Sequence, residues 1–386
     1  MKTILHVITG IDRGGAENHL FDLVRHQRSC GFTIHVAYLR GHGYWAAAME
    51  ALGIHVHDLR LRFYGDLPPL MELRRIIRGQ RFDLVHAHLP PAELYTRLAL
   101  LGISAGELPL IISKHNDCPF HDQPGERAMG RWVARRASAV ITISEAVWRY
   151  MTGPALGLPA SQVETIYYGI DVRPFDKVSV QAVADLQHEW GATEDTLLIG
   201  FVGRLVRQKS IDTLLRSFAL FLQRTRCDAK LVIVGYGELE RELRQCAAQL
   251  EIADHVVWAG FREDIATVMN AFDIFAITSV HEGFGLVLVE AMAARKPCVA
   301  TQSGAIPEVV VHEETGLLAN QPKQIAEAFE RLTDPVLRAK LGAAGHRRVF
   351  EHFTLEKMWD ETDALYERCL RSASAGRAVA EPATVE

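Results

Sequence analysis

Two carboxylates stand eight residues apart in His281-Glu282-Gly283-Phe284-Gly285-Leu286-Val287-Leu288-Val289-Glu290. The segment follows the apolar run 274–278, so Glu282 is expected in a strand-to-helix loop and Glu290 about two turns into the helix. At roughly 100° per residue, the two carboxylates differ by about 80° in azimuth and can address one ligand. Carboxylates accept hydrogen bonds from hydroxyls, which makes sugar hydroxyls natural partners. Gly283 and Gly285 let backbone approach a ligand and leave free amides at the helix start. The plainer alternative is a solvated loop Glu and a surface Glu. Against it, Glu290 sits in an otherwise apolar helix, where an unpartnered carboxylate is costly.

A second cluster, Gly203-Arg204-Leu205-Val206-Arg207-Gln208-Lys209-Ser210, follows the apolar run 197–202. Arg204 leaves the strand and Lys209 enters the next helix. A planar guanidinium fork, a point charge and a helix amino end suit a diphosphate; a solvated basic turn is the alternative. The spacing is not that of a Walker loop. Gly14-Gly15 opens a helix after the first strand, where it either cradles a ligand or makes a tight turn. Gly235-Tyr236-Gly237-Glu238-Leu239-Glu240 starts like a dinucleotide fingerprint but has Glu240 where the third glycine belongs. His86 and His88 share one face of a strand end, with no third metal ligand in obvious register. His115 follows a strand and can hydrogen-bond a sugar hydroxyl or be an ordinary loop histidine. Asp12, Glu17 and Asp117 are further candidates.

The elements that must position these groups alternate throughout: short Val/Ile/Leu-rich runs, as in parallel strands buried on both faces, and amphipathic helical stretches. Thirteen such runs exceed one comfortable sheet. The sequence is expected to form two doubly wound α/β domains, 1–172 and 173–354, with a cleft between them. A helix over 355–371 and a disordered tail over 372–386 follow. Of 386 residues, 48% are hydrophobic and 23% charged, an ordinary globular mix that excludes wholesale disorder. The net charge of −5 argues against a nucleic-acid binder. Scattered cysteines, no leader and no bilayer-length apolar run point to the cytoplasm.

Taken together, these motifs resemble those of the retaining glycosyltransferases of family 4, which have the GT-B fold of two Rossmann-like domains. The resemblance runs from Gly14-Gly15 through His115 with Asp117, Ile143-Ser144-Glu145, Tyr168-Gly169-Ile170-Asp171, Val202-Gly203-Arg204 with Lys209 and Val234-Gly235-Tyr236-Gly237 to the Glu282…Glu290 pair. It implies that Arg204 and Lys209 hold the diphosphate of a nucleotide-sugar donor and that Glu290 holds the ribose. Glu282, with the amides of Phe284, Gly285 and Leu286, would hold the donor sugar. His115 would approach that sugar, and Gly14 and Gly15 would lie near phosphate and acceptor. Gly235 belongs to the same donor site. The helix over 355–371 would cross back to the first domain. The implied reaction is hexosyl transfer with retention, in cell-envelope glycan assembly, with no cofactor and no metal. Alternatives are a nucleotide-sugar 2-epimerase of the same fold, transfer to a small soluble acceptor, a scaffold descended from a transferase, or a nicotinamide dehydrogenase, whose fingerprint is lacking.

Residues 1–172 carry 18 Lys+Arg against 16 Asp+Glu, whereas the rest carry 24 against 31. Within the basic half, Arg127, Arg131 and Arg135 recur at helical spacing, Arg136 broadens the face, and a nearby helix adds Arg74, Arg75 and Arg78. Such a face suits peripheral contact with anionic lipid on the inner side of the plasma membrane and a lipid-linked acceptor. A solvated helix that packs Trp132 inward is the alternative.

Overall fold

The structure is a computed structural model that describes residues 2–12, 14–115, 124–154 and 156–380. The thirteen expected runs all form strands, and all pair in parallel. The first sheet holds β1 (Thr3–Ile8), β2 (Thr33–Tyr38), β3 (His55–Asp58), β4 (Leu84–His88), β5 (Leu110–Lys114), β6 (Ala139–Thr142) and β7 (Val163–Thr165). Their spatial order is β3-β2-β1-β4-β5-β6-β7. The second sheet holds β8 (Leu197–Val202), β9 (Ala229–Val234), β10 (Val256–Gly260), β11 (Ile274–Ile277), β12 (Cys298–Ala300) and β13 (Gly316–Leu318), in the order β10-β9-β8-β11-β12-β13. Central strands such as β8 are buried at every position, which is why they read as unbroken apolar runs. The strand order reverses between β1 and β4 and between β8 and β11. In such folds the carboxyl ends at the reversal form the ligand crevice.

The chain divides into two compact units, Met1–Tyr168 with Leu355–Glu386, and Gly169–Thr354. The first boundary thus falls a few residues before the expected 172. The terminal helix, Leu355–Ala380, builds the first unit's core: Leu355, Met358, Leu365 and Tyr366 pack with Ile4, Ile8, Leu20 and Val24. It runs past the expected end at 371, so the disordered tail expected from 372 is corrected to helix as far as Ala380. Ala373 is buried, Ser374 Oγ donates to the Leu370 carbonyl at 2.9 Å, and the alanine-rich sequence favours the helix.

Gly200, in β8, allows the close approach of Phe272: a Cβ there would lie 2.2 Å from the ring. Gly200→Ala should therefore cost about 1–3 kcal/mol by overpacking, read as a lower urea midpoint at unchanged m. An unchanged midpoint would show that the ring yields freely.

Candidate active site

In the second unit, the loops after β8 and β11 are tied together by side chains from both. Lys209 forms an ion pair with Glu282, and both are largely buried. Ser279 Oγ donates to Glu282 Oε1 at 2.6 Å. Gln208 Nε2 donates to the His281 carbonyl at 2.8 Å, and Thr278 Oγ1 to the Ser210 carbonyl at 2.9 Å. Thr301 and Ser303 hydroxyls both donate to the Ser279 carbonyl at 2.7 Å. Arg204, by contrast, is exposed. Gly235 has a packing reason of its own: a Cβ there would strike the Gly203 carbonyl oxygen at 1.9 Å. A Cβ on Gly237 would likewise lie 2.4 Å from the Leu205 carbonyl oxygen. The Gly-x-Gly pair therefore lets the segment after β9 lie against the basic loop.

Gly285 adopts φ 91 and ψ 56, a left-handed conformation that suits glycine, and caps the helix Leu286–Ala293. Phe284 is buried against Phe353, with ring centroids 5.5 Å apart. Gly283 is buried beside it. Glu290 lies in that helix among buried Leu288, Val289, Ala291 and Met292. Burial pushes its carboxyl up to about 7. Such a group gains from any ligand hydroxyl that donates to its charged form.

In the first unit, Gly14 and Gly15 begin the helix Gly15–Ser29, and Gly14 has extended backbone that any residue can adopt. Asp12 accepts from the His42 amide at 2.9 Å, so it braces a neighbouring loop. His115 directly follows β5 and belongs to a chain of buried imidazoles. His6 Nε2 contacts Gln27 Oε1 at 2.8 Å, His6 Nδ1 contacts His88 Nε2 at 3.1 Å, and His88 Nδ1 contacts His115 Nε2 at 3.1 Å. The Tyr168 hydroxyl closes the chain on His115 Nδ1. The Gln27 carbonyl oxygen assigns the direction: His6 donates from Nε2, so His88 donates to His6, His115 to His88, and Tyr168 to His115. All three imidazoles are then neutral. Burial first, then neighbouring histidines, holds His88 and His86 well below their usual range, and burial does the same for His115. His86 is tied separately, to Tyr366 at 2.5 Å and Ser113 at 2.7 Å.

Thus Lys209, Glu282, Gly283, Phe284, Gly285, Leu286, Glu290 and Arg204 all lie at the β8/β11 end of one unit, while His115, Gly14 and Gly15 lie in the other. Asp117 falls outside the described residues. Sequence reasoning missed Ser279, His6 and Tyr168 as partners of these groups. His6 is the third partner of His86 and His88, opposite His86 in the β1–β4 register, a relation invisible until the strand order is known. The basic face changes character. The helix Pro124–Ala134 ends before Arg135. Arg131 donates to the Leu156 carbonyl at 2.8 Å, and Arg136 to those of Ile103 and Leu108 at 3.2 and 3.0 Å. Trp132 is partly exposed, with the Arg97 guanidinium 4.2 Å from its ring centroid.

Two family models match, "Glycosyltransferase Family 4" over residues 13–173 and "Glycosyl transferases group 1" over residues 184–348. The chain is 30% identical, over 74% of its length and 76% of the relative's, to a GDP-mannose-dependent monoacylated alpha-(1-6)-phosphatidylinositol monomannoside mannosyltransferase of Corynebacterium glutamicum. It is 25% identical to N-acetyl-alpha-D-glucosaminyl L-malate synthase of Bacillus anthracis, over 84% of this chain and 86% of that one. Its fold matches the crystal structure of Anabaena Alr3699/HepE in complex with UDP and glucose, with a TM-score of 0.83 at 23% identity, covering 95% of this chain and 100% of that one.

The histidine chain sets an acid limit. Burial lowers His6 from 6.5 to about 4. Between those values the unfolded chain binds more protons than the folded one, so this stability is present above pH 6.5 and lost as pH falls toward 4. His6 accounts for up to about 3 kcal/mol of it. His6→Asn should flatten the fall in urea midpoint between pH 7 and pH 5. Equal slopes in both proteins would show that His6 is not the group titrating.

Proposed function

The chain belongs to the family 4 glycosyltransferases, and on that premise we propose that it moves a hexosyl group from a nucleoside diphosphate sugar to an acceptor hydroxyl with retention. The observation that carries the donor reading is the ion pair that brings Lys209, from the loop after β8, onto Glu282, from the loop after β11; Glu290 lies in the helix that follows Glu282 and Arg204 is exposed in the loop after β8. In this reading Arg204 and Lys209 neutralise the diphosphate, so no metal or cofactor is called for. Glu290 accepts from the ribose hydroxyls. Glu282 and the amides of Phe284, Gly285 and Leu286 hold the sugar; Gly283 and Gly235 keep side chains out of the way.

The anomeric carbon–oxygen bond to the diphosphate breaks on the face where the acceptor oxygen arrives. The departing phosphate oxygen takes the acceptor's proton, and the products are the glycosylated acceptor and the nucleoside diphosphate. No protein nucleophile is needed. Electrostatic stabilisation of the growing diphosphate charge is the protein's main contribution. His115 is neutral with both ring nitrogens committed to His88 and Tyr168, so it is not free to hydrogen-bond a sugar hydroxyl as it stands; the family resemblance alone assigns it to the sugar side and Gly14 and Gly15 to the acceptor. A neutral imidazole adds no repulsion to a sugar carbon that becomes positive in the transition state.

For the acceptor we favour a lipid-linked glycan, with the enzyme peripheral on the inner face of the plasma membrane. Among the described residues no helix is long and apolar enough to cross a membrane. One surface does suit lipid contact: Phe63, Tyr64, Leu67 and Met71 are 63–69% exposed, beside exposed Arg60, Arg62, Arg75 and Arg78. Aromatic and apolar side chains can enter the interface while the cations meet anionic headgroups. A phosphatidylinositol mannoside is also the acceptor class in the name of the Corynebacterium relative. A saccharide or other soluble acceptor is the competing reading.

Lys209→Ala and Arg204→Ala should each lower turnover about 10²–10³-fold, or about 2–4 kcal/mol; folded variants with wild-type turnover would refute the diphosphate assignment. Calorimetry with the bare nucleoside diphosphate separates the glutamates. Glu290→Gln should weaken binding, while Glu282→Gln should spare it and damage transfer; equal losses would refute the split. Because desolvation raises Glu290 to about 7, Glu290→Gln should also stabilise the free protein above pH 7, where the wild type must carry a charge on a half-buried carboxyl. In sedimentation with anionic vesicles, binding should fall with salt and drop in Phe63→Ser/Leu67→Ser. Absence of salt-sensitive binding would favour the soluble acceptor.

A further inference from the structure

The helix Gly15–Ser29 ends beside the terminal helix with three side chains converging at the surface of the first unit. His26 and Cys30 are one turn apart, and Asp363 comes from the helix Leu355–Ala380. The ligand atoms of the three lie within 4.8 Å of one another. His26 Nε2 stands 3.0 Å from Asp363 Oδ2 and 3.6 Å from Cys30 Sγ. The His26 ring is held by stacking on Trp359, with centroids 4.4 Å apart and planes 5° apart. The other carboxylate oxygen, Asp363 Oδ1, is buried without a hydrogen-bond partner.

A thiol, an imidazole and a carboxylate would suggest a nucleophile relay, but the geometry is wrong for one. A relay needs the thiol and the carboxylate on opposite ring nitrogens. Here the carboxylate stands on Nε2, while Cys30 Sγ lies between the two nitrogens, 3.6 Å from Nε2 and 3.9 Å from Nδ1, so the thiol is not aligned on the far nitrogen. A cation on the bisector of those contacts satisfies all three ligands at once. Tetrahedral zinc, with bonds of about 2.0–2.1 Å to nitrogen, 2.3 Å to sulfur and 2.0–2.2 Å to oxygen, sets its ligand atoms about 3.5 Å apart for N and S and about 3.3 Å for N and O. The observed spacings are close to these. Thiolate and carboxylate charges together balance a divalent ion, and the negative end of the helix dipole adds to the attraction.

We infer that His26, Cys30 and Asp363 form a surface binding site for a borderline-soft divalent cation of the zinc class, with water in the fourth position. Binding displaces the thiol proton of Cys30 to solvent and forms the metal–sulfur bond, so it strengthens with pH. The ion would pin the terminal helix to the helix Gly15–Ser29. The buried trio His6, His86 and His88 is a poorer site. Its ring nitrogens are already committed to Gln27, Tyr366, Ser113, His115 and one another.

The test uses the full chain, purified with chelator and dialysed, and does not depend on its activity. Titration with Co²⁺ should give the visible bands of a tetrahedral ion and a near-ultraviolet thiolate-to-metal band, at one ion per chain. Cys30→Ser should abolish the charge-transfer band. Zn²⁺ should raise the thermal midpoint of the wild type, and Asp363→Asn should weaken its binding at least tenfold. Equal Zn²⁺ affinity in wild type and Cys30→Ser, or Co²⁺ binding without the thiolate band, would overturn the assignment.

Discussion

The buried ion pair between Lys209 and Glu282 is the constraint around which the second unit's candidate site is arranged. Two charges taken out of water cost several kcal/mol each, and their attraction repays this only when further hydrogen bonds hold the geometry. Those bonds are present. Ser279 donates to the same carboxylate oxygen as Lys209, and the backbone around both residues is tied across the two loops by Gln208 and Thr278. The glycines follow from the same compaction. A Cβ on Gly304 would meet the Glu282 carbonyl oxygen at 2.0 Å, as one on Gly235 would meet that of Gly203 at 1.9 Å. The loops after β8, β9, β11 and β12 therefore lie so close that side chains at these points are excluded. An amine with three donors can serve Glu282 and still offer hydrogens to a phosphate, which makes the pair compatible with an anionic ligand.

The first unit solves the problem of buried polarity differently. Its histidines are neutral, and burying a neutral imidazole costs far less than burying an ion provided both nitrogens are satisfied. The chain Gln27–His6–His88–His115–Tyr168 meets that condition at every link. Each proton position is set by the neighbour, so the tautomer of His115 is fixed by groups as far away as the Gln27 amide. The second unit thus buries fixed charge, whereas the first buries a chain of neutral dipoles.

The strands were the most legible part of the sequence because parallel strands buried on both faces cannot be anything but apolar runs. The candidate-site residues were legible for a different reason: glycines, cations and paired carboxylates sit at strand ends, where the chain must turn. What escaped depends on contacts between distant segments. Nothing local shows that His6 pairs opposite His86, or that Ser279 reaches Glu282. The helix Pro335–His352 was missed because its buried positions include Gly342 and Gly345, small residues that carry no apolar periodicity. At Gly342 a Cβ would strike the Arg295 carbonyl oxygen at 2.0 Å, so the glycine is a packing surface. The arginines around 127–136 divide. Arg127 and Arg135 are exposed, whereas Arg131 and Arg136 each donate to backbone carbonyls, a difference that a spacing argument cannot detect.

The terminal helix shows how far such long-range completion goes. Its apolar face alone would explain its docking, since Met358, Leu365 and Tyr366 are buried in the first unit's core. Yet it also delivers polar groups to three places. Tyr366 satisfies His86, Asp363 reaches His26, and Arg368 pairs with Glu164. Asp363 and Tyr366 are three residues apart, neighbours on one helical face, so a single docking geometry serves both histidines. A slip of the helix by one turn would leave the buried His86 nitrogen and the buried Tyr366 hydroxyl without partners, at about 1–3 kcal/mol each. The apolar stripe tolerates such a slip better than the polar contacts do. The hydrophobic face therefore supplies most of the attachment, and the polar residues set its register.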